Sequence, residues 1–458
     1  MTRKRILLVL FALVVLGIIT WLMIRPHEAR LSIDETSGIN PQITSPRPET
    51  WPTINVAEAV GWPEGEMPEA AEGLEVNLFA DDLDHPRWML TLDNGDVLVA
   101  ESRQPSQEFS GLTGMIAERM MRRAGALGPS ANRITLLRDV DGDGTADQRS
   151  ALLTVDNGLN SPIGMAVTED YLYVANTDAL VRFAFEPGQV SIEGEGEQIV
   201  ELPASGPNNH WTKTLVVSPA DPNLMYVGVG SNSNIAEGGM AQEENRAAVL
   251  EINVEERSFR IFTAGLRNPV GLDWEPQSGR LYTVVNERDL LGGDLVPDYL
   301  TEVEFGAHYG WPGVYWGNYL DERVEPATPR MLEYAKRPDF ALGPHTASLG
   351  LEFADNANLG SRFANGAFIG QHGSWNRNPR SGYKVVFVRF ENGRPVGEMI
   401  DVLTGFLSPD GEAWGRPVGV MTDRTGALLV ADDVGNCIWR VSNPNARAAA
   451  AVEDGAES

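Results

Sequence analysis

The stretch NPVGLDWEPQSGRLYTVVNE, Asn268 to Glu287, reads as a hairpin: Val270, Leu272 and Trp274 alternate with other residues, Pro276-Gln277-Ser278-Gly279 makes the turn, and a second apolar run returns. Period-two alternation broken by a Gly-containing turn is the signature of paired antiparallel strands. The unit recurs. PRWMLTLDNGDVLVAES from Pro86, PIGMAVTEDYLYVANTD from Pro162, TKTLVVSPADPNLMYVGVGS from Thr212, ASLGLEFADNANLGSRFANGAFIGQHGS from Ala347 and RPVGVMTDRTGALLVADD from Arg416 each give a strand, a turn and a second strand. With the opening stretch this makes six units, and radial repetition of small sheets is one way a chain limits its exposed edges. The pattern predicts an all-β, six-bladed propeller over residues 74–442, with LEVNLFA from Leu74 pairing with the last sheet to close the ring.

Composition narrows the function. The 458 residues carry 36 Lys plus Arg against 64 Asp plus Glu, a net charge of −28, which repels nucleic acid and anionic membrane surfaces. The single cysteine, Cys437, lies in the apolar run CIWRV and reads as a small buried hydrophobe, so no internal disulfide forms.

Ahead of the ring, Ile6 to Ile24 is an apolar run behind Arg3, Lys4 and Arg5. It is longer than the apolar region of a cleavable signal and is followed by bulky residues where small ones are needed for cutting. Residues 1–30 are therefore expected to be an uncleaved transmembrane signal anchor, with the basic tip cytoplasmic and the propeller on the periplasmic side of the inner membrane. Residues 31–73, rich in Pro and acids, are expected to be a linker without a core, and residues 443–458 a disordered tail. Within the first unit, Phe109 to Leu127 has a helical pattern with Met115, Ile116 and Met120 near one face; it packs on the propeller or docks a membrane or partner.

Several polar groups stand out. Asp139, Asp141, Asp143, Thr145 and Asp147 have the alternation of a calcium loop around Gly142, yet Ser150 replaces the closing Glu and strands flank it. It reads equally as a structural Ca2+ site in a hairpin and as a solvated acidic turn. None of the six histidines has metal-ligand spacing with another; His210, in a polar loop entering the third unit, reads either as a base or as a satisfied core histidine. Arg267-Asn268, His372-Gly373-Ser374-Trp375-Asn376-Arg377 and Trp414-Gly415-Arg416 occupy comparable unit ends, and Arg87 joins them. Arginines aimed inward by an acidic protein fit an anionic ligand.

NNHWTKTLVV, GLRNPVGLDW, LYTVVNERDLLGGDLVPDYL, AHYGWP, GQHGSWNR and GRPVGV together resemble the soluble pyrroloquinoline quinone (PQQ)-dependent aldose sugar dehydrogenases, most closely their L-sorbosone and pyranose dehydrogenase branch. The resemblance implies an oxidoreductase with PQQ over the channel and a Ca2+ beside it. It implies His210 as general base and Arg267 as a catalytic residue, with Asn268, Arg87, His372 and Arg416 at the cofactor. It also implies Arg377 or Lys384 in place of a cofactor-binding lysine, and the backbone carbonyls of Glu287 and Arg288 as calcium ligands. A sugar substrate and a membrane quinone or cytochrome as electron acceptor are the partners implied. The rival readings are a sugar-lactone hydrolase, which needs side-chain carboxylates on a metal over the channel, and a protein-binding propeller.

Overall fold

The computed structural model describes residues 3–24, 27–49, 53–107, 109 and 111–446. Six antiparallel sheets form the ring, and their innermost strands are Pro86–Thr91, Gly164–Val167, Lys213–Val217, Pro269–Glu275, Ser348–Phe353 and Pro417–Thr422. Each belongs to a different repeat read from the sequence. Glu75–Ala80 completes the sixth sheet against Cys437–Ser442, with Ser442 opposite Glu75 and Ile438 opposite Ala80. The first and last strands of the ring thus share one sheet, and no open edge remains between them.

The inner strands approach one another closely because their third residue is often glycine. A Cβ on Gly271 would lie 2.6 Å from Cβ of Leu351, and one on Gly419 2.8 Å from the Arg87 carbonyl oxygen. The second residue instead fills the channel: Ile163, Val270, Leu349 and Val418, the same position in four blades, are buried in one cluster with Trp88 and Trp211. Burying each such side chain contributes about 1.5–3 kcal/mol. This plug closes the channel beneath one end of the ring. Inner strands begin at that end and second strands finish there, so their polar flanking residues gather around a single mouth.

The segment expected to be a linker is not a tether. Ser37–Gly38 adds a fifth strand to the fourth blade, against Phe340–Pro344, and Glu69–Ala70 adds one to the fifth, against Arg394–Thr404. Thr36, Thr53, Val56 and Ala57 are buried. Trp62 donates from Nε1 to Asp432 at 2.7 Å and meets Phe406 and Trp439 edge-on. Lack of a core of its own did not matter, because an extended Pro-rich chain can pair with sheet edges that others have built.

The apolar run near the N-terminus does form a helix, α1 (Arg3–Ile24). Among the described residues, however, no helix is long and apolar enough to cross a membrane, which removes support for the expected transmembrane anchor. The longest stretch of α1 with described side chains, Leu10 to Ile18, spans only about 13 Å at 1.5 Å per residue. The predicted disordered tail falls, from residue 447 on, outside the described residues. The predicted inserted helix is α2 (Gly111–Arg123), between the second and third strands of the first blade.

Replacing Trp62 by Ala should lower the unfolding free energy by about 3 kcal/mol, since it removes a packed indole and a donor to the buried Asp432. Urea unfolding of the two proteins measures the difference.

Candidate active site at the mouth of the ring

The mouth is organised by two buried carboxylates. Asp289 accepts from Arg267 Nη2 at 3.3 Å and from Asn376 Nδ2 at 2.8 Å, and lies 3.4 Å from His345 Nδ1. Burial alone would raise its pKa, but His345 and Arg267 hold it below the usual carboxylate range. Asp433, on the opposite arc, faces three cationic or ionisable groups: Arg87 Nη1 at 2.5 Å, His372 Nε2 at 2.9 Å and His85 Nε2 at 3.5 Å. Burial again opposes its charge, and His372, His85 and Arg87 keep it well below the ordinary value.

His210 lies beside the first of these centres. A Cβ placed on Gly230 would collide with both the Asn268 side-chain oxygen and His210, so glycine there lets the two residues sit together. His210 Nδ1 is 2.7 Å from the Ser231 carbonyl oxygen and 3.0 Å from its hydroxyl. A carbonyl only accepts, so Nδ1 carries the hydrogen and Nε2 is left as the acceptor. Burial first, and then the nearby Arg267 charge, push the His210 pKa down to about 3, so the ring is neutral at physiological pH.

Arg267 is held by Asn234, the Asn286 carbonyl and Asp289, which leaves one of its five N–H donors unassigned. Arg416 donates from Nη2 to the Ala57 carbonyl at 3.3 Å and lies over the Tyr383 ring. Its Nε, Arg87 Nε, and the side-chain oxygens of Asn268 and Asn376 are buried without a hydrogen-bond partner. Buried polar atoms are almost always paired, so four orphans around one mouth point to a polar ligand. A planar polyanion such as PQQ fits the two guanidinium groups. A hard cation fits too, because among the described residues neither the Glu287 nor the Arg288 carbonyl accepts a hydrogen bond.

Other expected site residues are elsewhere. Arg377 spends its guanidinium on the carbonyls of Gly293, Pro379 and Leu31, and is a buried brace between the strap and the fifth blade. Lys384 pairs with the exposed Asp401 at 2.6 Å, both on the outer strands of that blade. Neither is free to bind a cofactor. The Arg288 side chain is locked by Glu287, Asp321 and the carbonyls of Pro312 and Val314, so only its backbone faces the question of a metal. Asp139, Asp141 and Asp147 bring carboxylate oxygens within 4.8 Å of one another, without Asp143 or Thr145 in the group. The loop joins the two outer strands of the first blade, and its carboxylates already accept from Val140, Gly142 and Gly144 amides.

Asp433, Asp289, His85, Asn376 and Trp375 are mouth residues that sequence reasoning did not select as site residues. For Asp433 a signal existed: it follows the second strand of its blade as His372 follows that of the fifth.

A family model named TrAA12-like matches residues 130–297 and 330–444. The chain belongs to the TrAA12-like family. This agrees with the resemblance drawn from the NNHW, GLRNPVG and GRPVGV motifs. An uncharacterised protein of Borreliella burgdorferi is 30% identical to this TrAA12-like chain over 300 residues, 63% of this chain and 78% of the relative. A PQQ-dependent pyranose dehydrogenase of Coprinopsis cinerea is 27% identical over 230 residues; the match spans 40% of this chain and only 30% of that relative. In three dimensions the chain is similar to the holo PQQ domain of the Coprinopsis enzyme, with a TM-score of 0.66 at 20% identity, covering 85% of this chain and 100% of that one. A calcium structure of the Trichoderma reesei AA12 enzyme gives 0.66 at 19% identity, covering 85% and 99%. At these identities the likeness establishes the fold.

Asp433→Asn should cost about 3–5 kcal/mol of stability, because it removes the buried counter-charge of Arg87 and leaves that arginine uncompensated. Lys384→Ala, by contrast, should change stability by less than about 1 kcal/mol. Guanidinium chloride titrations of both variants give the comparison.

Proposed function

We propose that the protein is a PQQ-dependent oxidoreductase that oxidises a pyranose or other aldose-like sugar at a ring hydroxyl. The observation that carries this reading is the set of four unpartnered buried polar atoms on Arg87, Arg416, Asn268 and Asn376, facing a neutral histidine with a free Nε2. PQQ, when bound, supplies the two-electron acceptor, with Ca2+ beside it as a Lewis acid. Arg87 and Arg416 would hold the carboxylates, and the Glu287 and Arg288 carbonyls would hold the cation.

The remaining work belongs to the chain. Ser231 fixes the His210 tautomer, so Nε2 takes the proton of the sugar hydroxyl as the carbonyl forms. Arg267 disfavours a lasting imidazolium, which returns the proton to solvent and resets the base. The apolar plug below the mouth keeps the chemistry on one face of the ring. Aldoses and sorbosone-like sugars are the substrate class offered. A periplasmic location, with electrons leaving to a membrane acceptor, belongs to the same proposal and rests on the basic tip and apolar run in the sequence.

A lactone hydrolase is less well supported. The buried carboxylates at the mouth, Asp289 and Asp433, are neutralised by Arg and His instead of being free for a metal.

His210→Gln should retain PQQ binding, read by cofactor absorbance, while turnover falls by about 100-fold or more. A variant that binds PQQ and turns over at the wild-type rate refutes the assigned base. The pH profile gives a second check. A group whose pKa is lowered stays neutral as pH falls through the ordinary histidine value of about 6.5, so kcat/KM should show no acid limb there.

A further inference from the structure

The insertion carrying α2 leaves the first blade after Glu101, at the mouth end of its second strand. Gln107 Nε2 donates to the Pro207 carbonyl at 2.8 Å, anchoring the insertion on the loop that leads to His210. At its other end the Arg123 carbonyl accepts from the Ala59 amide at 2.9 Å, and Arg123 lies 3.4 Å from Glu58. The insertion therefore bridges the mouth from the third blade to the N-terminal strap. Beneath it is a cavity of about 550 Å³. Its ceiling is Ile116, Met120 and Met121 of α2 with Ile54 and Val56 of the strap, and its floor includes His372, Trp375 and Arg416.

The two surfaces ask for different chemistry. A floor with Arg416 and His372 suits polar groups, whereas hydroxyls pressed against Ile, Met and Val would lose hydrogen bonds to water without replacement. A bare sugar is a poor match for that ceiling. The volume is right for one medium-sized organic molecule. Every sugar oxidation must also be followed by delivery of two electrons to an acceptor at this same mouth. The chain carries further surface suited to a lipid-rich setting: Leu10, Phe11, Leu13 and Leu16 of α1 are each more than half exposed.

We propose that α2 and the Ile54–Val56 segment form the binding site for a lipophilic quinone, which docks under this apolar ceiling and accepts the electrons. The inference rests on the oxidoreductase reading above. Reduction of the quinone to the quinol takes up two electrons and two protons, the same number released when one sugar hydroxyl becomes a carbonyl. Both carbonyl oxygens of the quinone end as hydroxyls, and no further oxidant is required. The ring of the quinone faces the mouth, and its alkyl chain leaves between α2 and the strap.

The test uses decylubiquinone as the probe, with Ile116→Glu and Met120→Glu to charge the ceiling and Met120→Leu as the conservative control. Binding to the full chain is read by tryptophan fluorescence quenching. Turnover of the PQQ- and Ca2+-loaded protein with a sugar is read once with decylubiquinone and once with ferricyanide, a hydrophilic acceptor. Each Glu variant should weaken decylubiquinone binding and slow quinone-coupled turnover by at least tenfold, leave ferricyanide turnover unchanged, and be matched by normal behaviour of Met120→Leu. Unchanged quinone binding in the Glu variants overturns the proposal. Equal loss with both acceptors also overturns it, since the ceiling would then serve the sugar. Absence of sugar oxidation by wild type with ferricyanide would instead refute the oxidoreductase reading, and the binding measurement would still decide whether the cavity takes a quinone.

Discussion

Ring closure is the constraint on which the rest of this structure depends. Pairing Glu75–Ala80 with Cys437–Ser442 joins the two ends of the propeller in one sheet, so the six sheets cannot slide apart as an open stack. Once the ring is closed, the start of every inner strand and the end of every second strand point to the same mouth. Glycines such as Gly271 and Gly419 let the inner backbones approach, and the residues just before them plug the channel. A ligand is thereby kept at the mouth, where loops with no packing duty can carry polar groups.

Those polar groups are buried, and burial sets their electrostatics. A carboxylate taken out of water is expensive unless it is paired. Asp433 is surrounded by Arg87, His372 and His85, and Asp289 by Arg267, His345 and Asn376. These two centres explain how a strongly acidic chain aims arginines inward. They also account for the low proton affinity of His210: desolvation and the Arg267 charge act in the same direction. The arginine nitrogens that remain unpartnered, on Arg87 and Arg416, are those left over after each side chain has met its protein partner.

The strap and the α2 insertion add a second layer over this framework. Each uses something the ring leaves available: the strap takes the outer edges of the fourth and fifth blades, and the insertion departs from the end of a strand that finishes at the mouth. Their meeting at Ala59 and Arg123 roofs part of the site with apolar side chains. A site with a cationic floor and an apolar ceiling is built from segments remote in sequence, and neither segment alone announces it.

The sequence by itself determined the six repeats, the closing strand and the loops that reach the mouth. These are local properties: alternation has period two, turns declare themselves with Gly, Asn and Asp, and a residue flanking a strand is carried wherever that strand ends. It also singled out His210, Arg267, Asn268, Arg87, His372 and Arg416, which the fold brings to that mouth. Only the tertiary structure decided which polar residues were already spoken for. Arg377 is spent on three backbone carbonyls and Lys384 on an outer-strand carboxylate, while Arg87 meets Asp433 across 346 positions of chain. The same holds for the strap, whose composition denied it a core but whose extended backbone found sheet edges to pair with. Hydrogen-bond partners, burial and field at a point in space depend on groups far apart along the chain, and no local pattern encodes them.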